Sequence, residues 1–378
     1  MLSGAQLLVV LALALGSFQA SADKIRMFTR GDKSLAAHLE ALQGAKHSIL
    51  LHTFEFRPCD ASAKMIIAIL AQKAAQGLDV RVLLDAYMLK DFEKKGLAWY
   101  FKAMNIKFRL YNNSFAIFQN HRSHVKLIVI DGETNSGTYF ADSSNLGDEY
   151  FGMSVAKNFV NRDFRITGKS AQQARAGFEM LWGSGMTSTP RARREHGFFD
   201  KCLAANARDQ QIGKYFRNNS ADLAAAKSVS CSNITYQIDD PRFLNSYPGS
   251  DDRDNRNEEY MNEMRLKKKR STKGVLDFIA GANHVLNVEN QYYMPSDRLK
   301  RAFKDLRDKK NIPIFVLTGR SADGVRSMLA SLQAGRGRGR TDPESGDGQP
   351  TAGSTSTTTD ADGAPVHTDT VHDGRFPQ

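Results

Sequence analysis

The residues best suited to chemistry lie in HRSHVKLIVIDG, residues 121–132 of this 378-residue chain. A strand-forming run, residues 125–130, is entered through histidines and carries a lysine. An unpaired charge on a buried strand is costly to desolvate, so these groups need a role. Residues i and i+2 of a strand face the same way. The spacing therefore predicts that His124 and Lys126 project together from one face, whereas His121 is interpreted as a loop histidine.

This pair is typical of phosphate chemistry. Imidazole attacks phosphorus to give a covalent intermediate, and a neighbouring ammonium stabilises charge on the non-bridging oxygens. Asp131 closes the strand five residues after the lysine. Ser143 and Asn145 follow in a turn, where hydroxyl, amide and backbone N–H groups can surround the same phosphate.

The His-x-Lys-x4-Asp spacing, followed by Ser-x-Asn, resembles the phospholipase D superfamily. NLGDEYFG (145–152) and NRDFRITG (161–168) are similar to segments of bacterial cardiolipin synthases and their periplasmic relatives. VENQYYMP (288–295) resembles the segment that starts the second half of that family. The resemblance covers about residues 30–333 and implies chemistry without a metal or another cofactor.

Carried over to this sequence, the resemblance implies that His124 is the nucleophile or its acid/base counterpart. Lys126 and Asn145 would bind phosphate, assisted by Ser143. Asp163 occupies the place of a carboxylate that orients the histidine.

Asp131 is grouped with the catalytic residues because it completes the motif, although the resemblance implies that it holds a turn. Asp142 departs from the family, which usually has glycine before the serine. A carboxylate there would repel a phosphate unless it points away, and this weakens the assignment of Ser143. Glu55 and Glu289 fall near the ends of repeated strands. Two interpretations stand for these glutamates, a contact with substrate and a structural role.

Apolar periodicity along the chain alternates between strand and helix, which predicts an α/β fold. Residues 41–56 align without gaps with 278–293, and 77–84 with 311–318, in the same order. Two copies of one unit are therefore expected. We predict a two-lobed phospholipase D-like fold in which each lobe is a mostly parallel sheet flanked by helices, and in which the second lobe is incomplete.

The second copy should carry a second His-x-Lys motif, because family members use one histidine to attack and the other as acid and base. The nearest candidate, His367, has Asp369 in the lysine position and is interpreted as a degenerate second motif. The expected organisation is a signal peptide (1–22), a first lobe with the intact motif (23–183), a polar connector (184–232), a partial second lobe (233–333) and a low-complexity, disordered tail (334–378).

The N-terminus predicts export, through a cleaved signal peptide or, as the alternative, with an uncleaved N-terminal membrane anchor. LLVVLALALG (7–16) is apolar but shorter than the roughly 20 residues that span a bilayer, and small residues at 20–22 suit signal peptidase. The expected location is the periplasm or the periplasmic face of the inner membrane. In that compartment Cys202 and Cys231 would form a disulfide and leave Cys59 unpaired, or all three would be free thiols.

Charge and composition restrict the partners. Hydrophobic residues make up 41% of the chain, as in a globular protein, and the net charge of +11 favours anionic partners. We predict a phospholipase D-like phosphatidyltransferase or phosphodiesterase that acts on an anionic phospholipid such as phosphatidylglycerol, at a membrane surface and through a phosphohistidine. The alternatives are an exported nuclease of the same family, an inactive anion- or lipid-binding relative, and a homodimer that pairs two copies of His124.

Overall fold

The site is positioned by a mixed α/β unit. The computed structural model describes residues 22–113, 122–224, 227–239, 270–290 and 297–318. The strands are β1 (Asp23–Phe28), β2 (Ser48–Thr53), β3 (Asp79–Asp85), β4 (Lys107–Tyr111), β5 (Leu127–Ile130), β6 (Thr138–Asp142), β7 (Asp163–Thr167), β8 (Thr187–Ser188), β9 (Val229–Cys231), β10 (Leu286–Asn290) and β11 (Ile314–Thr318). The helices are α1 (Gly31–Gly44), α2 (Ala61–Ala75), α3 (Asp91–Ala103), α4 (Ala171–Trp182), α5 (His196–Phe198), α6 (Ala207–Ala224), α7 (Arg270–Ala280) and α8 (Asp297–Lys310).

Strands β1–β9 form one nine-stranded sheet in the order β8-β4-β3-β2-β5-β6-β7-β1-β9. Pairs β2–β3 and β3–β4 are parallel because helices α2 and α3 carry the chain back between them. The other pairs are antiparallel. From β5 to β6 the connection is short, and such a connection allows only antiparallel pairing. The α/β class is thus confirmed, whereas parallel pairing within this nine-stranded sheet extends over β2, β3 and β4.

The sheet is buried on both faces, as the near-continuous apolar strands predict. Ile49 and Leu51 of β2, with Ile128 of β5, belong to the core beneath α1, α2 and α3. Leu50 and Val129 belong to a second core beneath α4. Because neighbouring side chains alternate between the faces, the central strands β2, β3 and β5 contribute to both cores.

Residues 184–232, expected as a polar connector, pack against the first lobe. Helix α6 lies against α1 and α2. Strand β8 pairs with β4 and strand β9 with β1, which extends the sheet at both edges. The polarity of this stretch reflects helices and strands with one exposed face.

The cysteine pairing differs from the expectation. Cys59, before α2, forms a disulfide with Cys202 in the π-helical turn Phe199–Leu203 that follows α5. Cys231 is free. Its strand β9 lies at one edge of the sheet, whereas Cys202 is fully buried in the core under α1–α3. The predicted bond between Cys202 and Cys231 is therefore wrong.

Less of the predicted second copy is described. The chain divides into one unit of residues 1–286 and 296–314 and another of 287–295 and 315–378. In the described ranges, α7 packs against α8, and β10 and β11 form a separate two-stranded sheet. Not one helix within those ranges is long and apolar enough to cross a membrane. The predicted signal peptide, apart from Ala22, and the predicted tail with His367 lie outside the described residues.

Candidate active site

Apart from Asp131, the described candidate residues lie at one end of the strands, where β2 and β6 end and β5 and β7 begin. In the register, His52 of β2 lies opposite Leu127 of β5, and Leu127 lies opposite Ala141 of β6. The segments just beyond these positions therefore meet at the same end of the strands. His124 and the turn that begins at Ser143 both belong to it.

His124 and Lys126 lie in an extended segment immediately before β5, which begins at Leu127. The observed strand is shorter at this end than the predicted run 125–130, but the alternation of side chains continues beyond it. Val125 packs with Leu127 in the core beneath α4. On the other side, Nζ of Lys126 lies 3.1 Å from both ring nitrogens of His124. The predicted juxtaposition of imidazole and ammonium is confirmed.

The surroundings favour a neutral imidazole beside a cation. Partial burial, and then the charge of Lys126, lower the pKa of His124. Burial lowers the pKa of Lys126 to about 8, although the charges of Glu55 and Asp142 oppose the shift. The ring of Phe54 packs against the imidazole, with 4.7 Å between centroids. Near neutral pH the histidine thus keeps a lone pair for attack while the lysine stays mostly charged.

The segment that carries His124 is held by buried groups that sequence reasoning missed. Oγ of Ser123 lies 2.6 Å from Nε2 of His52, and Nδ1 of that ring lies 2.8 Å from the carbonyl oxygen of Leu83. The Ser123 N–H donates to Asp85 at 2.9 Å. Burial lowers the pKa of His52 to about 4, so the ring is neutral and accepts from the serine. The feature of the sequence that could have indicated this support is His52, a histidine inside the otherwise apolar strand β2.

Asp163 organises the turn after β6. Its Oδ1 accepts the backbone N–H groups of Ser143 and Ser144 at 3.1 and 3.0 Å. Its Oδ2 accepts the hydroxyls of Ser144 and Ser34 at 2.7 and 2.6 Å. In the described part of the chain no hydrogen bond joins Asp163 to His124, because all four donors come from the turn and from α1. The predicted histidine-orienting contact is therefore replaced by a role in shaping the turn.

Ser143 is exposed at this edge, but its hydroxyl is already engaged. Oγ donates to Asn161 Oδ1 at 3.2 Å and accepts the N–H of Arg162 at 2.8 Å. The hydroxyl thus ties the turn to the segment before β7. Binding of a phosphate by this hydroxyl would require exchange of the Asn161 contact.

Asn145 is buried, and its orientation is fixed by its neighbours. Its Oδ1 accepts the Glu55 N–H at 3.1 Å. Its side chain also hydrogen-bonds to Tyr150, whose hydroxyl donates to Glu55 at 2.6 Å. The amide oxygen is thus engaged by the protein, and the amide nitrogen carries the N–H groups that a phosphate would need as donors.

The NLGDEYFG segment (145–152) braces the loop between β2 and α2. Asp148 accepts both the N–H and the hydroxyl of Ser62 at 2.9 Å, which satisfies donors in the first turn of α2. Glu149 pairs with Arg57 at 2.7 Å. Asp148 and Glu149 of this segment therefore stabilise the loop behind the site through these contacts.

Asp142 points away from the phosphate position. Its Oδ2 lies 2.8 Å from Nε2 of His38, which is fully buried and stacked on Phe140. Nδ1 of His38 lies 2.7 Å from the Ser34 carbonyl oxygen, so it is the N–H donor there. The Asp142 carboxylate is therefore paired with His38 and turned away from a bound phosphate, so it does not repel one. The sequence analysis did not predict this buried partner.

The His38–Asp142 pair should make stability depend on pH. Burial opposes protonation of His38, but Asp142 raises its pKa above the ordinary value. The folded pair thus keeps a proton that the unfolded histidine releases above about pH 6.5. Stability from this proton is fully present below that pH and is lost as pH rises through the folded pKa. The unfolding free energy should therefore fall above pH 6.5, by at most about 1.4 kcal/mol per pH unit.

Urea unfolding at pH 6.5, 7.5 and 8.5 measures this slope. In Asp142→Asn, the amide donates to a neutral His38, so the decline should vanish. Equal slopes in wild type and variant would contradict the shared proton.

Asp131 lies at the opposite end of β5, away from His124. Its carboxylate accepts the backbone N–H groups of Lys46, His47 and Ser48 at 2.7–3.2 Å, just before β2. Its φ of 51° is left-handed. Grouping Asp131 with the catalytic residues is therefore corrected, because a side chain that anchors the far edge of the sheet cannot reach the phosphate.

Asp131→Ala should lower the unfolding free energy by about 2–3 kcal/mol, because the acceptor is lost and alanine disfavours positive φ. Asp131→Asn keeps one oxygen and tolerates this φ, so it should lose about 1 kcal/mol or less. Thermal melts compare the two variants. A large loss of turnover in a fully folded alanine variant would instead favour a role in catalysis.

The predictions for His121 and His367 are not tested by the structure. His121 and His367 lie outside the described residues, and so does any second motif. Within the described ranges no group of three or more His, Cys, Asp or Glu side chains could hold a metal ion.

Comparison with known proteins gives a family match over the part of the chain that contains the site. Residues 38–182 match the family model described as cardiolipin synthase, phospholipase D-like domain. The cardiolipin synthase of Listeria welshimeri is 28% identical over 182 residues, which cover 45% of this chain and 35% of that protein. Cardiolipin synthase 1 of Staphylococcus epidermidis is 24% identical over 246 residues, which cover 63% of this chain and 49% of that protein. The chain thus spans about a third to a half of the length of these relatives.

Among solved structures, the phosphatidylserine synthase of Haemophilus influenzae has a similar fold. The TM-score is 0.51 at 14% sequence identity, and the match covers 80% of this chain and 62% of that one. Identity at this level shows the fold alone. The family match identifies residues 38–182 as a cardiolipin synthase-type, phospholipase D-like domain, and this domain carries His124 and Lys126.

Proposed function

We propose that this protein breaks and re-forms phosphodiester bonds of an anionic phospholipid such as phosphatidylglycerol, through a phosphohistidine at His124. The observation that carries the proposal is the pair itself. An exposed imidazole with a lowered pKa stands 3.1 Å from a cation, beside a turn shaped by Asp163.

In the first step a ring nitrogen of His124 attacks phosphorus, a P–N bond forms, and the P–O bond to the leaving alcohol breaks. Lys126 and the Asn145 amide stabilise the charge on the non-bridging oxygens. The leaving oxygen takes a proton from an acid. Water or an acceptor alcohol then attacks phosphorus and gives its proton to the conjugate base of that acid, and the P–N bond breaks, which restores both groups. The acid is assigned to a second histidine, supplied by the second copy or by His124 of another chain.

We further propose that the protein works in an exported, oxidising compartment. The apolar residues 7–16 followed by small residues support a signal peptide. The Cys59–Cys202 disulfide supports the same compartment.

Product analysis tests the substrate class. Purified full-length protein is incubated with phosphatidylglycerol, and lipids are followed by mass spectrometry. Formation of phosphatidic acid or cardiolipin by wild type, but not by His124→Ala, is expected. His196→Ala removes an exposed histidine of α5 and is the matched control. If plasmid DNA is cleaved in a His124-dependent way while the lipid is untouched, the protein is a nuclease and the proposal fails. Vesicle binding without turnover would make it an inactive relative.

Turnover should also report the titration of Lys126. With a soluble phosphodiester, kcat/KM should fall as pH rises through about 8, because the depressed pKa of Lys126 means that its charge is lost there. Lys126→Arg keeps its charge at all accessible pH values, so its alkaline limb should disappear even where its rate is lower. An unchanged alkaline limb in the arginine variant would show that another group titrates.

A further inference from the structure

The segment between β6 and β7 presents apolar side chains to solvent beside the candidate active site. Val155 is 92% exposed and Val160 is 80% exposed. Single exposed apolar residues are common on protein surfaces. Two highly exposed valines within six residues, next to a candidate active site, are less common. The residues around them indicate that they contact a binding partner.

Local hydrogen bonds hold this segment in a defined turn. The Ser154 N–H donates to Asn158 Oδ1, and the Asn158 amide donates back to the Ser154 carbonyl, both at 2.9 Å. The Phe159 N–H donates to the Glu149 carbonyl at 2.9 Å. The Phe159 ring packs on Tyr150, with 5.0 Å between centroids. The valines are therefore displayed by a braced turn whose aromatic residue faces inward.

The same segment is cationic. Residues 151–162 contain Lys157 and Arg162 and no aspartate or glutamate. Lys157 is exposed, and its Nζ lies 4.7 Å from the centre of the Phe159 ring. An exposed apolar pair around a cation is complementary to an anionic lipid surface, where headgroup charge and acyl chains meet.

The segment is joined directly to the site, since Asn161 accepts the Ser143 hydroxyl at 3.2 Å. On the other flank, the turn after β3 exposes Tyr87 (65%) and Met88 (37%). The guanidinium of Arg122 lies 4.6 Å from the centre of the Tyr87 ring. Neighbouring strands are about 4.8 Å apart, so β3 on one side and β7 on the other lie on the order of 10 Å from β5 along this edge.

We propose that the 153–160 turn, with Tyr87 and Met88 on the opposite flank, docks this edge of the protein onto an anionic bilayer. The inference rests on the proposed function, because the phosphate of a phospholipid stays at the headgroup level. Valines at 155 and 160 enter between headgroups, Lys157 pairs with lipid phosphate, and His124 is brought to the level of the diester.

Vesicle co-sedimentation tests the docking surface. Full-length protein is mixed with vesicles of 30% phosphatidylglycerol in phosphatidylcholine, and Val155→Asp/Val160→Asp is compared with Val229→Asp. Val229 is a 64% exposed valine on β9 and is the matched control. The double variant should need about tenfold more lipid for half-maximal binding, with an unchanged melting temperature. The control should bind like wild type. Equal binding by all three, or an equal loss in the control, would overturn the proposal.

A local readout covers the case in which apolar residues 7–16 dominate vesicle binding. Val155→Trp should gain emission that brominated phosphatidylglycerol quenches, whereas Val229→Trp should not. No extra quenching at position 155 would overturn docking through this turn.

Monomeric short-chain phosphatidylglycerol separates this inference from the proposed function. The double aspartate variant should turn it over at the wild-type rate, since no bilayer is present. Absence of turnover by wild type would defeat the proposed function and leave docking to the vesicle result. If the double variant loses binding to DNA and keeps binding to vesicles, the surface serves nucleic acid and the docking proposal is wrong.

Discussion

Replacing His124 with alanine should lower kcat/KM for the phosphodiester by about 10³-fold or more. The imidazole is the only group in the described part of the site that combines nucleophilicity, exposure and a lowered pKa with an adjacent cation. Without it, water must attack phosphorus directly, and covalent catalysis is lost. Its contacts are with Phe54 and Lys126 at an exposed edge, so the melting temperature should change little.

A trapped intermediate makes this result specific. Wild type quenched during turnover of lipid labelled in the phosphate should carry label that is lost in acid and retained in alkali, as a phosphoramidate is. The His124→Ala protein should carry none. Lys126→Met should still form the adduct but about 10²-fold more slowly, because the ammonium only stabilises charge. Wild-type turnover by the alanine variant would place the nucleophile elsewhere.

The sequence predicts the chemistry of this site better than its scaffolding. His124 and Lys126 are two residues apart, so an extended backbone is enough to bring them together, even though β5 itself starts only at Leu127. The alternation of strand and helix periodicity along the chain likewise predicts the α/β class, which the structure has. Local spacing determines such features.

Contacts between distant segments are not encoded in local spacing. Asp163 accepts from Ser34, which lies 129 residues earlier in the chain, and Asp142 meets His38 across 104 residues. The disulfide between Cys59 and Cys202 likewise depends on which segments lie next to each other in the folded core. A motif therefore identifies which residues are special without showing whether a carboxylate orients a histidine or shapes a turn.

Asp163 gives the sharpest test of that distinction. Asp163→Ala should lower the unfolding free energy by about 3–5 kcal/mol, because two backbone N–H groups and two hydroxyls lose a buried acceptor. Folded domains have only about 5–15 kcal/mol in total, so this variant should melt far below wild type. The turn that carries Ser143 and Ser144 would lose its shape, and turnover would fall with it.

Asp163→Asn distinguishes shaping of the turn from orientation of the histidine. The amide keeps one oxygen for the N–H groups of Ser143 and Ser144, and the two hydroxyls can rotate to accept from its nitrogen. This variant should therefore lose only about 1–2 kcal/mol of stability and retain most of its kcat. Urea unfolding and steady-state rates, measured on the same preparations, give both quantities. If asparagine preserved stability but reduced kcat as strongly as His124→Ala does, the carboxylate would act through the histidine during turnover, and the contacts of the structure would describe only its resting state.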